Sequence, residues 1–371
     1  MTTSTLAAGA DVHSDLAIPP GEFLEEVIAD LDMTKDELAR RMQRPPAKLS
    51  AVFKGEKAIT PETALQLEKV VGVPARIWLG LESEYRLTLA RSQARQSASL
   101  EQEEQLTTGY CYAQLAKLGM VASSRNPLVR VAELQRFFGV ASLLAIPEVR
   151  LYKAALRQSP SGMRRRSPLA LTAWLRLGEL KSREVDCGPF DPALLRGSLE
   201  ELRHMTLEAP QSFQAPLQRM LAKAGVALVV CPHFPRTGVH GATFWQGRKG
   251  VLLITIRGAW AHVFWFSLFH ELGHLSLHSR RGVIFEYDAA DAESRKREEE
   301  ADDFAAETLV PSRDYLQLVE AGDLTEQAIR RLASSLGIDP GIVVGRLQHD
   351  GHLKHDRHNG LRSRFRWVEE E

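Results

Sequence analysis

FSLFHELGHLSLH, residues Phe266–His278, decides how this chain is read. It holds the pattern H-E-x-x-H as His270, Glu271 and His274. Residues four apart share one face of a helix, so both imidazoles can aim at one ion. Zinc suits two nitrogen ligands, and a catalytic site keeps one position open for water. The ion lowers the pKa of that water, and Glu271 stands beside it to take the proton. Around the motif, Trp265, Phe266, Leu268, Phe269, Leu272, Leu275 and Leu277 make the helix apolar on almost all sides. Such a helix is buried, and burying two histidines and a glutamate unpaired is costly. A shared metal removes that cost. The plainer reading is a buried helix whose histidines are satisfied by backbone or carboxylate groups.

Working outward, the stretch REEEADDFAAETLVP, Arg297–Pro311, offers a third ligand. Glu298, Ala301 and Asp302 stand at i, i+3 and i+4, and Phe304, Ala305 and Leu309 give this second helix an apolar face. Ala301 leaves room for two helices to approach closely. A carboxylate at Glu298 would complete a two-histidine, one-glutamate site, and Asp302 could orient a ligand histidine. Glu299 and Glu300 read as a solvated acidic face. His278 extends the motif to HExxHxxxH, but eight residues of helix rise about 12 Å. That is too far for a shared ion, so His278 reads as structural or substrate-side. The glycine turn and third histidine of the metzincin pattern are absent.

Composition bounds the rest. A length of 371 residues suggests two or three domains. Apolar residues at 44% and charged residues at 25% are ordinary for a globular protein. A formal net charge of zero means that nucleic-acid binding must come from a local patch. Cys111, Cys187 and Cys231 lack paired spacing, which fits a reducing compartment and no thiolate metal site. No apolar run reaches the roughly 18–20 residues a membrane span needs. The first residues show no basic start followed by an apolar block. Residues 1–18 therefore read as a disordered leader, and the protein as cytoplasmic.

Residues 19–91 read as a module of short helices. Phe23, Leu24, Val27, Ile28 and Leu31 fall at helical spacing. Thr34 and Glu37 form a capping box ahead of Leu38 and Met42. Pro45 and Pro46 open a helix that ends at Gly55, and Thr60 and Pro61 open another that ends at Gly72. Residues 92–210 read as a helical middle region with an exposed basic loop, SPSGMRRRSP. From Ser212 onward the expectation is a mixed domain, residues 211–355. Its strands are Val226–Val230, Gly241–Trp245 and Val251–Ile256, and its helices cover Trp260–His278, Ala292–Leu309, Ser312–Glu320 and Glu326–Leu336. Residues 356–371 form a polar tail. The fold class is mainly α with an α+β part: a five-helix N-terminal module, a helical middle and a C-terminal domain with a small antiparallel sheet.

FHELGHLSLH followed by EEEADDFAAETLVP resembles the ImmA/IrrE family of bacterial metallopeptidases, and the likeness runs from about Ser212 to Leu353, including IDPGIVVGRLQHDG. The resemblance implies a small gluzincin-like fold, zinc on His270, His274 and Glu298, and Glu271 as base. It also implies a regulatory role through cleavage of a transcriptional repressor. PPGEFLEEVI, MTKDELARRM and LSAVFKGEKAITPETALQLEKVVGVPARIWL resemble the Xre-type helix-turn-helix of HigA-type antitoxins. In that fold the second helix, here about Pro46 to Lys54, enters the major groove. Arg40, Arg41, Arg44, Lys48, Lys54 and Lys57 cluster there in a stripe that can contact phosphates, and Lys48 and Ser50 are candidates for base edges. A module that docks a partner or dimerises is the other reading.

Two functions follow. The first is a zinc endopeptidase that cuts a partner protein near promoters. Its substrate chain would add along Val251–Ile256, with His240, His278 or Tyr287 as candidate oxyanion donors. The second is a regulator or antitoxin, with a toxin partner, whose peptidase-like domain senses or docks without turnover. Helix-turn-helix modules of this kind usually bind as dimers, so a homodimer is expected.

Overall fold

A computed structural model of the chain describes residues 16–95, 98–157, 167–256, 260–278, 283–285 and 292–365. Two compact units divide between Gln102 and Glu103. Tyr287, most of the SPSGMRRRSP run and the last residues of the polar tail lie outside the described residues.

The first unit is built from α1 (Pro20–Asp30), α2 (Lys35–Arg41), α3 (Pro46–Phe53), α4 (Pro61–Val71) and α5 (Ala75–Arg95). The Thr34 hydroxyl accepts from the Glu37 N–H to start α2, and Thr60 does the same for Thr63 at α4. The Glu37 carboxylate turns to Arg40 and Arg41, at 2.8 Å each. Leu24, Leu38, Leu49, Leu67 and Trp78 are buried together. At Gly21 a Cβ would overlap the backbone of Phe53, so α1 and α3 cross in direct contact and only glycine fits.

In the second unit, α6 (Ala98–Thr107), which contains the division, leads to α7 (Tyr112–Lys117), α8 (Pro127–Phe138), α9 (Arg150–Arg157), α10 (Pro168–Glu184), α11 (Pro192–His204) and α12 (Pro210–Lys223). The strands β1 (Val226–Cys231), β2 (Gly241–Gln246), β3 (Lys249–Thr255) and β4 (Val283–Phe285) form a sheet of order β1-β3-β2-β4. Beyond them come α13 (Ala261–Leu277), α14 (Ala292–Leu309), α15 (Ser312–Ala321), α16 (Glu326–Leu336) and α17 (Pro340–His349). Among the described residues no helix is long and apolar enough to cross a membrane.

The sheet differs from the antiparallel one expected. β2 pairs antiparallel with β3 and β4, but β1 lies parallel to β3. Local periodicity carries no strand direction; the unbroken apolar runs of β1 and β3 mark strands covered on both faces, the usual setting of a parallel pair. Successive β3 side chains point to opposite faces. Leu252 and Ile254 join Phe264, Trp265, Leu268, Phe269 and Leu272 of α13 in one core. Leu253, between them, meets α10 at Gly178, where a Cβ would collide with it. Helix α10, which falls in the stretch read as a middle region, is thus a layer over the sheet.

The same topology overturns the expected path of the substrate. β3 is hydrogen-bonded on one side to β1 and on the other to β2, so the strand part of Val251–Ile256, up to Thr255, has no open edge. Strand addition is left to the outer strands, β1 and β4.

Candidate metal centre

Helices α13 and α14 pack where Gly273 faces Ala301. A Cβ on Gly273 would stand 3.2 Å from the Ala301 Cα and 3.2 Å from the Phe304 ring. Two small residues therefore let the helix backbones nearly touch. Within one turn of this contact on each helix, the candidate ligands converge. His270 Nε2 lies 3.5 Å from Glu298 Oε2, His274 Nε2 lies 3.3 Å from Glu298 Oε1, and the two Nε2 atoms are 2.9 Å apart. One donor atom from each of His270, His274 and Glu298 lies within 4.8 Å of the other two. Two ring nitrogens and a carboxylate oxygen are the donor set zinc prefers. Facing lone pairs at 2.9 Å repel unless a cation, proton or metal, sits between them. The residues fit a metal.

Each side chain is held from behind. His270 Nδ1 lies 2.8 Å from Asp302 Oδ1. Glu271 is fully buried, and the Thr243 hydroxyl of β2 donates to its carboxylate. Two residues earlier on the same face of β2, Gly241 makes room for that carboxylate, since a Cβ there would overlap Glu271 Oε1. His278 reaches His274 and Glu300. Glu300, read as solvated, thus has a histidine partner, while Glu299 is exposed. Because both ring nitrogens of His278 are engaged, a role as oxyanion donor does not suit it. His240 stands just before β2 and its carbonyl accepts from the Thr255 N–H at 2.8 Å.

Burial pulls the pKa of His270 down, but hydrogen bonds to Asp302 and Glu298 outweigh it and hold the ring raised to about 10. His274 moves the other way: burial lowers it, against the Glu298 hydrogen bond, and the charge of His270 lowers it further. The opposite shifts fit one proton between two facing rings, kept on His270 because Asp302 backs that ring.

In the N-terminal unit, Lys48 and Ser50 on α3, with Lys54 and Lys57 just past it, are exposed. Arg44 is half-buried, and its Nε donates to Gln66 of α4 at 2.6 Å. Arg40 and Arg41 share the single carboxylate of Glu37, which offsets one of their two charges. The positive stripe is therefore narrower than the residue count suggested.

Thr243, Gly241 and the His278–Glu300 pair were missed from sequence. The only signal for the last was the HExxHxxxH spacing.

Residues 229–348 match the family described as the IrrE N-terminal-like domain, peptidase M78. The chain is 34% identical over 71 residues to the uncharacterized HTH-type transcriptional regulator YddM of Escherichia coli, which covers 19% of this chain and 76% of that protein. It is 32% identical over 85 residues to virulence-associated protein I of Dichelobacter nodosus, covering 23% and 78%. A solved addiction module antidote protein of the HigA family from Coxiella burnetii is 34% identical, over 21% of this chain and 86% of that one, with a TM-score of 0.21. Fold and site define a helix-turn-helix regulator module joined to a metallopeptidase-type domain. By its N-terminal relatives the chain belongs to the helix-turn-helix type regulators, and residues 229–348 carry an IrrE N-terminal-like, peptidase M78 domain.

Ala301→Leu forces the two helices apart. It is expected to cost about 1–3 kcal/mol of stability and to weaken zinc binding, whereas Ala301→Gly keeps binding; competition with a chromophoric chelator checks both. A second expectation concerns pH. With His270 raised to about 10, its proton is bound at neutral pH and zinc must displace it. Zinc affinity should then rise about tenfold per pH unit between pH 6 and 8. Calorimetry in buffers of different ionisation enthalpy should show release of that proton.

Proposed function

We propose that this protein is a zinc-dependent endopeptidase that cuts a partner protein, such as a transcriptional repressor, and that its N-terminal module binds DNA. The observation that carries the reading is the convergence of His270, His274 and Glu298 beside the buried Glu271. When bound, zinc would polarise the scissile carbonyl and make a water acidic enough to lose its proton near neutrality.

The chain's own residues supply the remainder. Asp302 accepts from His270 Nδ1–H, so that once its other proton is displaced the Nε2 lone pair is directed into the site. Thr243 donates to one oxygen of Glu271 and so directs the carboxylate. Glu271 takes the proton of the attacking water. It then passes a proton to the departing amide nitrogen as the C–N bond breaks, returning to its starting charge. Burial of α13 keeps bulk water from this exchange. The substrate backbone would pair with an outer strand of the sheet; β4 neighbours β2, the strand that orients Glu271.

For DNA, Lys48 and Ser50 are the candidate base contacts and Lys54 and Lys57 the candidate phosphate contacts, all exposed on or just past α3. Arg44, just before α3 and tied to Gln66 of α4, is a further candidate phosphate contact. A relative named as an HTH-type transcriptional regulator supports this part of the reading.

Glu271→Gln is expected to bind zinc normally and to abolish cleavage. Mass spectrometry of new protein N-termini in cells expressing wild type or the variant checks this. Wild type should generate at least one cut that the variant does not; identical profiles contradict the reading. On duplex DNA selected from a random library, Lys48→Ala and Lys54→Ala should each weaken binding. Lys54→Ala should also lower the salt slope by about one, as read from gel shifts over a salt series.

A further inference from the structure

His278 lies one helical turn beyond His274, at the end of α13, and its side chain is only 5% exposed. Its Nδ1 is 3.0 Å from His274 Nδ1, and its Nε2 is 3.1 Å from Glu300 Oε2 on α14. The other nitrogen of His274 faces His270 and Glu298. We infer that Glu300 and His278 form a positioning relay that fixes the tautomer and ring orientation of His274, so that its Nε2 presents a lone pair to the metal.

The direction of the relay follows from what each group can donate. A carboxylate only accepts hydrogen bonds, so His278 Nε2 facing Glu300 carries the proton. In a neutral ring Nδ1 is then the acceptor. His274 must therefore place its own proton on Nδ1, donate it to His278, and leave Nε2 bare. Each assignment forces the next, and the chain starts at Glu300. With the polarity reversed, His274 would hold a proton on Nε2 and point it at the ligand site.

The arrangement also answers a geometric need. Asp302 reaches His270 directly. His274 lies one turn further along α13, and the carboxylate offered to it on α14, Glu300, connects only through an intervening imidazole. Each candidate ligand histidine thus draws on its own carboxylate from α14, one directly and one through His278. The buried ring of His278, which cannot itself share the ion with His270, has a defined task.

This inference rests on His270, His274 and Glu298 being the zinc ligands. Its test is zinc affinity of the full-length chain, by competition with a chromophoric chelator, together with the imidazole tautomers of the zinc-loaded wild type by long-range proton–nitrogen NMR. His278→Ala should weaken zinc binding about 10- to 100-fold. His278→Asn, which returns an acceptor near the Nδ1 position, should recover part of that loss. Glu300→Ala should weaken binding too, but add nothing in a chain already carrying His278→Ala, because Glu300 acts through His278. The wild-type spectrum should show His278 protonated on Nε2 and His274 on Nδ1, a result that needs no variant to fold. Unchanged affinity in His278→Ala, additive losses in the double variant, or His278 protonated on Nδ1 would each overturn the relay alone. A wild-type chain that takes up no zinc would overturn the metal site and the relay together.

Discussion

The contact between Gly273 and Ala301 is the constraint on which the candidate metal centre depends. An imidazole pair on one helix cannot finish a tetrahedral site, and a carboxylate from a second helix arrives only if the two backbones come close. Any larger side chain at Gly273 or Ala301 would fill the gap between α13 and α14. Glu298, Glu300 and Asp302 flank Ala301 on its helix, and His270 and His274 flank Gly273 on theirs. One close crossing thus places the carboxylate donor and both supporting carboxylates at once.

The sheet completes the site from the other side. Helix α13 is apolar nearly all round because it is packed against β2 and β3 on one side and α14 on the other. Its few polar residues are those that meet partners. Glu271 is buried, at a cost that only specific contacts offset; Thr243 and the bare backbone of Gly241 meet it from β2. Covering of both sheet faces, by α10 against Leu253 and by α13 against Leu252 and Ile254, keeps β2 in place. The chemistry sits on rigid elements, and the tautomers of its rings are set by hydrogen bonds from behind.

Much of this was legible in the chain. The spacing of His270 and His274 within an all-apolar helix pointed to a shared ion, and Ala301 one turn after Glu298 pointed to a close helix crossing. Thr34, Thr60 and Gly72 marked helix ends, because capping is local chemistry between residues a few positions apart. What stayed hidden is long-range. Nothing around Gly241 or Thr243 signals that β2 lies under Glu271. The parallel course of β1 beside β3, and the central place of β3, depend on pairings that periodicity does not encode. The same is true of α10, whose Gly178 has meaning only against Leu253. The hydrogen bond from Arg44 to Gln66 of α4 is likewise invisible to local spacing. His278 was discounted as a ligand by the rise of a helix, a sound argument that could not supply its actual neighbours.

The central claim is that one ion is shared by two imidazoles of α13 and a carboxylate of α14. Anomalous diffraction at the zinc edge, on crystals of the zinc-loaded full-length chain, tests it most directly. One peak is expected about 2.0–2.2 Å from His270 Nε2, His274 Nε2 and an oxygen of Glu298. A zinc peak elsewhere, or one at the histidines with the Glu298 carboxylate turned away from it, would contradict it.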